Sequence, residues 1–370
     1  MSVLSTPKQA AKLMPQVVAA SSSTTSGDPF SGKRTQGLAK PPSLTQRWVD
    51  RAFLGLCRGF AWGCALFVGY IILQIAIKAQ PAMAKLGVGF LTGTTWDPNQ
   101  EQFSILPEIW GTLYSSVLAL GIATVLGVAV ALFLSEGFLG EALMSVFKRV
   151  GLQNKPFFLR MPDIAERVLR NLIELLAAIP SVVYGLWGLF VVIPVLRAPC
   201  AWLYEHLNSW SLFSTPLSGP GMLPAVLVLS IMLLPTITAL SRDALVAVPA
   251  KLRMAAYGMG ATRWETIMAV NIPTAARGIF GAVVIAFGRA LGETMALAML
   301  VGNANRISVS LFSPANTLAA LLANSFPEAG PNEVAVLMYA ALVLLGITMA
   351  VNILGSALLL RASRGQEGLR

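Results

Sequence analysis

The chain has 370 residues, of which 55% are hydrophobic and 12% charged, with 27 Lys and Arg against 17 Asp and Glu for a net charge of +10. An ordinary soluble domain carries about 25% charged residues, so this composition argues against a cytosolic globular enzyme and for a membrane protein. Three cysteines (Cys57, Cys64, Cys200) and one histidine (His206) cannot build a disulfide framework or a dense metal site.

In chain order, residues 1–58 form a tail rich in Ser, Thr, Pro and Gly, with scattered Lys and no apolar stretch of secretory-signal type. That tail is expected to be cytoplasmic and disordered. Residues 27–34, Gly-Asp-Pro-Phe-Ser-Gly-Lys-Arg, nearly match the phosphate-cradling pattern G-x-x-x-x-G-K-[ST]. Arg34 replaces the hydroxyl that would hold magnesium, and no apolar strand precedes the glycines, so no nucleotide site is expected there. Spanning the hydrocarbon core takes about 20 mostly apolar residues. Six stretches qualify: Gly59–Ile77, Ile109–Ser135, Leu175–Leu196, Met222–Leu240, Gly278–Val301 and Val334–Leu360. Residues 84–108 and 198–221 are interrupted by Gly, Pro, Thr and Asn and are expected to be loops. Residues 361–370 form a short basic tail.

Orientation follows from the basic residues. Alternate loops and tails hold 22 Lys and Arg on one side of the six spans and four on the other. The basic side is expected in the cytoplasm, with both termini inside, as an even number of spans requires. The net positive charge is thereby a topology signal, which removes its support for nucleic-acid binding. Gly55, Gly59 and Gly63, and again Gly288 and Gly292, make small-xxx-small steps of the kind that lets helix backbones approach in lipid. Pro180, Pro194 and Pro235 lie in or near the third and fourth spans, where they suggest kinks that are either passive or part of transport.

Two places could carry function. Loop 241–277 has five basic and two acidic residues around Met254-Ala255-Ala256-Tyr257-Gly258-Met259-Gly260-Ala261-Thr262 and Val270-Asn271-Ile272-Pro273. Pro249 can open a short helix, the glycines turn the chain, and Pro273 suits the first turn of the fifth span. This makes either a compact helix–turn–helix for docking a soluble partner or an ordinary connector. The second place is Arg289 with Glu293, an ionisable pair inside a span at i,i+4 and hence on one helix face. A lone charge at the bilayer centre costs about 3 kcal/mol, so the pair must face protein or a water-lined cavity. An arginine fork can grip phosphate oxygens while a carboxylate steadies it, with Thr294 adding a hydroxyl. A buried structural ion pair is the other reading.

The spacing of Ala255-Ala256, Gly260 and Val270-x-Ile272-Pro273 resembles the EAA signature of ABC-importer permeases, EAA-x3-G-x9-I-x-LP. Met254 stands where that signature has Glu. Either Arg253 or Glu265 takes over the polar contact, or the interface is more apolar. Longer strings resemble the phosphate-importer permeases of the PstC type. They are residues 172–190, Gly288-Arg289-Ala290-Leu291-Gly292-Glu293-Thr294-Met295-Ala296, Gly302-Asn303, Trp110-Gly111-Thr112-Leu113, and Ala131-Leu132-Phe133-Leu134-Ser135-Glu136. Residues 1–58 and about 141–167 match poorly.

The resemblance implies an all-α polytopic inner-membrane protein, with six transmembrane helices in the type I, MetI-like permease architecture over 59–360. It implies a subunit that makes no covalent change and needs no cofactor, importing inorganic phosphate by alternating access around Arg289, Glu293 and Thr294. ATPase coupling would fall to Arg253, Met254, Ala255, Ala256, Gly258, Gly260, Glu265 and Pro273. The implied partners are a second homologous permease (PstA type), two copies of a cytoplasmic ATPase (PstB type), an extracytoplasmic phosphate-binding protein (PstS type) and the lipid bilayer. A permease for molybdate, sulfate or a phosphonate, a passive channel, and a membrane-embedded enzyme are the alternatives. The last would need a catalytic cluster, which one His and one intramembrane pair do not supply.

Overall fold

The structure, a computed structural model, describes residues 43–149 and 156–367. The near-match at 27–34 and most of the expected tail therefore lie outside the described residues. The helices in chain order are α1 (Leu44–Leu86), α2 (Leu106–Ser135), α3 (Phe138–Arg149), α4 (Pro156–Ala178), α5 (Ser181–Leu207), α6 (Met222–Val246), α7 (Ala250–Gly258), α8 (Arg263–Leu291), α9 (Met295–Leu300), α10 (Leu318–Ser325) and α11 (Pro331–Glu367). Six of them, α1, α2, α5, α6, α8 and α11, are long and apolar enough to cross a membrane.

The chain divides into two units at Tyr70. The described part of the first, residues 43–70, is the start of α1 and is helical from Leu44, well before the expected Gly59. Ser43 and Gln46 explain that start: the Gln46 amide donates to Ser43 Oγ at 3.3 Å, and the Ser43 amide donates to Gln46 Oε1 at 2.9 Å. This is the reciprocal capping pattern of a helix N-terminus. Gly55, Gly59 and Gly63 meet no neighbour in this unit. Trp48, Phe53, Phe60 and Trp62 are exposed beside them.

In the second unit α6 is the central helix. Of its apolar stretch 61% is buried inside the chain, against 22–28% for α2, α5, α8 and α11. Small residues bring its neighbours in. A Cβ on Gly127 of α2 would lie 2.8 Å from Ile237, and one on Gly278 of α8 would lie 2.3 Å from the Cβ of Ala244. Thr238 Oγ1 adds a hydrogen bond to the Gly127 carbonyl at 3.3 Å. The core between them holds Ala119, Ala123, Leu229, Leu233, Ile237, Ala286 and Ala290. Gly288 approaches Asn352 of α11 in the same way, whereas Gly292, the other member of that expected step, caps α8 and meets only its own helix. A second core, around Phe90, Ile105, Leu318 and Leu337, covers the end where α2 begins. Beside it a two-residue antiparallel hairpin pairs Trp96 with Phe103, the one strand pair among the described residues.

Two further spans differ from the sequence expectation. The third does not run Leu175–Leu196. Pro180 disfavours helical backbone at Ile179, so α4 ends at Ala178 and α5 starts at Ser181, continuing to Leu207 through residues expected to be loop. The fifth does not run Gly278–Val301. It starts at Arg263, ten residues before Pro273, and ends at Leu291. Both α5 and α8 contain a π-helical segment, Gly188–Val192 and Ile267–Asn271, and each is followed directly by Ile-Pro. A proline has no N–H for the carbonyl four residues back, and its ring crowds that carbonyl. A wider π turn just before it relieves both problems.

Candidate functional site

Arg289 lies in the last turn of α8 and Glu293 does not share its helix. Gly292 ends the helix, with its amide donating to the Arg289 carbonyl at 3.2 Å. Thr294 then starts α9: its carbonyl accepts from the Ala298 amide at 2.9 Å, and its hydroxyl donates to the Gly292 carbonyl at 3.1 Å. The expected pair on one helix face is therefore not formed, because a glycine breaks the helix between its members. Among the described residues no ion pair joins Arg289 to Glu293. Arg289 instead donates from Nη1 to Thr236 Oγ1 of α6 at 3.3 Å, and the residue is exposed. That bond ties the end of α8 to α6.

The broken segment is held by glycines of α5. A Cβ on Gly185 would come within 2.7 Å of Met299 Sδ and 3.3 Å of the Ala296 backbone, and one on Gly188 within 2.7 Å of Leu300. A side chain at Gly185 would press on the α9 backbone, while one at Gly188 would have to displace the end of the Leu300 side chain. The string Tyr184-Gly185-Leu186-Trp187-Gly188 thus seats the short helix that follows the break, enclosing its backbone in protein.

The second site is the loop between α6 and α8. Pro249 opens α7, which ends at Gly258 in a double backbone closure. The Gly260 amide donates to the Tyr257 carbonyl at 3.0 Å and the Ala261 amide to the Ala256 carbonyl at 3.1 Å. Gly260 has φ +89°, the left-handed conformation such a closure requires. Thr262 and Glu265 then form a capping box that starts α8, with Glu265 Oε2 accepting from the Thr262 amide at 2.7 Å. The expected helix–turn–helix is present.

Its polar residues converge on one carboxylate. Glu136, at the end of α2, has a side chain only 7% exposed. It accepts from Asn271 Nδ2 at 2.7 Å, and Arg253 and Arg263 each approach its carboxylate to 3.9 Å. Arg263 also donates to the Glu136 carbonyl and to Glu141, and lies 4.2 Å over the Phe138 ring. Asn271 belongs to the π segment, so the wide turn before Pro273 carries the residue that reaches Glu136. Pro273 itself is exposed. Arg253, 31% exposed, points toward Glu136, and Glu265 is exposed while its carboxylate caps α8. Met254 is 62% exposed, and Leu252, Tyr257, Met259 and Trp264 are exposed with it. Of the two signature alanines Ala256 is buried and Ala255 exposed; Gly258 is exposed. The outward surface of the loop carries these apolar side chains together with exposed Lys251, Thr262 and Glu265.

Comparison with known proteins places these features. A family model for the binding-protein-dependent transport system inner membrane component matches residues 157–363, which contain the α7–α8 loop, Arg289 and the α8–α9 break. The chain belongs to this permease family. It is 38% identical over 321 residues to the phosphate transport system permease protein PstC of Mesorhizobium japonicum, covering 85% of this chain and 90% of that one. It is 35% identical to the PstC of Haemophilus influenzae, covering 84% and 93%. A chain from a crystal structure of a bacterial alginate ABC transporter is similar in fold, with a TM-score of 0.52 at 15% identity over 83% of this chain and 95% of that one. The permease is therefore a multi-pass membrane component of a transport system and not itself an enzyme.

Sequence reasoning missed three residues of the permease that the geometry brings forward. Glu136 closes a span opposite a loop with five basic residues, a charge balance visible in the sequence. Thr236 follows Pro235 and gave no signal. Glu108, which bounds the second span in sequence, is fully buried, and neither carboxyl oxygen has a hydrogen-bond partner among the described residues. The polar side chain beside it is Asn316.

Proposed function

We propose that this permease imports inorganic phosphate across the plasma membrane as one subunit of an ATP-driven importer, by alternating access around Arg289. The observation that carries the substrate is the 38% identity, spread over 85% of the chain, to a phosphate permease. The geometry fits it: a guanidinium whose one hydrogen bond among the described residues is to a hydroxyl stands beside the helix break that ends the fifth span. Its remaining donors suit a tetrahedral oxyanion. Glu293 and Thr294 lie in the break itself, where a rearrangement of α9 against α8 changes their distance from Arg289. Import then proceeds as a shift between two arrangements, each favoured by a different ligand state.

A second permease of the same family, two ATPase copies and an extracytoplasmic phosphate-binding protein complete the assembly. The exposed apolar residues Leu252, Met254, Tyr257 and Met259 fill a cleft of the ATPase, and Glu136 ties the loop to α2 so that ATPase motion reaches the bundle. The distribution of basic residues, 22 against four, supports cytoplasmic termini. The deciding experiment is uptake of labelled phosphate by the Arg289→Ala variant, with membrane insertion and copurification of the ATPase followed in parallel. Uptake is expected to fall to background with assembly intact. Normal uptake would remove Arg289 from the path, and equal competition by sulfate or molybdate would remove phosphate as the preferred anion.

A further inference from the structure

We infer that α4 is an interfacial helix, with one flank seated in the lipid of the cytoplasmic leaflet. Its residues divide into three arcs at about 100° per residue. Ala165, Leu169, Ile173 and Leu176 form the inner arc and are buried or half-buried. Arg167, Asn171 and Glu174 form an exposed polar arc. Between them lies a third arc, about 80° wide, of Ile164, Val168, Leu172 and Leu175, which are 46%, 50%, 54% and 61% exposed. The inner arc already accounts for packing against the protein: Ile173 is buried, and the Leu176 carbonyl accepts from the Tyr184 hydroxyl at 2.8 Å. Four large aliphatic side chains in a continuous row are left without cover, more than a water-facing helix carries.

Lipid is the occupant that the connections of α4 favour. Only Ile179 and Pro180 separate its end from the span α5, so its C-terminal turn is held at the membrane boundary by the covalent chain. The exposed row is also continued in sequence by Val182, Val183, Leu186 and Phe190, exposed apolar residues of that span. An apolar arc beside a polar one, on a helix tethered at the boundary, is the pattern of a helix lying in the headgroup region. The anchorage reaches the coupling loop. Glu166 of α4 accepts from the Gly140 amide of α3 at 3.1 Å, and Glu141 of α3 pairs with Arg263. The lipid thereby steadies the shelf on which Arg263 rests.

The test uses the assembled importer in nanodiscs of phosphatidylcholine and phosphatidylglycerol. Cys57, Cys64 and Cys200 are replaced by serine or alanine, and spin labels are attached in Val168→Cys, Leu172→Cys, Asn171→Cys and Glu174→Cys variants. Labels at 168 and 172 should collide severalfold more with oxygen than with a water-soluble nickel complex, and labels at 171 and 174 should reverse that order. Nickel-dominated collisions at all four sites would overturn the inference by placing the helix in water. Protection from both reagents at 168 and 172 would overturn it by placing a protein partner there. A lipid with a photoreactive acyl chain supplies a measurement without substitutions: adducts on the peptide carrying residues 164–175 are expected, and their absence alongside labelled α5 peptides counts against it.

Discussion

The span α2 is bracketed by two buried glutamates in opposite surroundings. Glu136 has an amide at 2.7 Å and two guanidinium groups at 3.9 Å. Glu108, at the other end, is 0% exposed and neither of its oxygens has a hydrogen-bond partner among the described residues. Burial alone therefore says little about what a carboxyl does in this permease. Removing a partner from a compensated buried charge leaves the other charges stranded, whereas replacing an uncompensated one relieves a desolvation cost. The two ends of one helix should respond to mutation with different size and sign.

The largest effect is expected at Glu136. Glu136→Ala leaves Arg253, Arg263 and Asn271 without their common acceptor, and should cost about 3 kcal/mol, read as a lowered melting temperature of the purified permease and loss of ATPase copurification. A variant as stable as the parent would erase the contrast between the two ends. Next is Gly260→Val. Nothing lies within 4 Å of a Cβ at Gly260, so the penalty is backbone alone: a side chain at φ +89° costs about 1–2 kcal/mol. Retained fold with weakened ATPase binding is expected, and unchanged binding would separate the loop's conformation from docking. Smaller still is Glu108→Gln, which should lie within about 0.5 kcal/mol of the parent or be stabilising. A clear drop in melting temperature would mean that Glu108 has a partner the bundle alone does not provide.

The smallest effect concerns a third glutamate, Glu101, whose side chain is 55% exposed. Lys85 Nζ donates to Glu101 Oε2 at 2.6 Å, and this hydrogen bond and charge hold the Glu101 carboxyl below its ordinary 4.5. Because the folded-state value is depressed, the pair adds stability above pH 4.5 and loses it as pH falls below that value. Lys85→Ala should flatten this part of the acid-side stability curve slightly, and no more, since exposed pairs contribute little. An effect comparable to Glu136→Ala would overturn the ranking.

Much of this was legible in the sequence, for physical reasons that also mark where legibility stopped. Hydropathy located all six spans because the bilayer demands a fixed length of apolar chain. Glycine and proline displaced the boundaries of two of them. Ile179-Pro180 cut the third span from α4, and Gly292 ended the fifth before Glu293, so an i,i+4 spacing that assumed one continuous helix described no contact. The helix–turn–helix over 241–277 was legible because Pro249, Gly260 and the Thr262–Glu265 spacing are local signals. The direction in which Arg253 points was not, since it depends on Glu136, more than a hundred residues away in sequence. The amphipathic period of α4 is present in the sequence, but only the packing of its inner face reveals that a second apolar face is left over.

The π segments before Pro194 and Pro273 have a consequence for phase. Each wide turn accommodates one residue more than a regular helix would, so everything before it is rotated by about 100° relative to everything after. In α8 this brings Arg263, which reaches the end of α2, onto about the same face as Ala275, Ala282 and Ala286, from which a uniform helix would turn it by about 100°. Deleting a single residue within residues 267–270 would remove the wide turn, bring the Pro273 ring back against the carbonyl before it, and turn Arg263 and the loop ahead of it out of alignment with Glu136. The fifth span thus works as a keyed shaft, and its key is one residue wide.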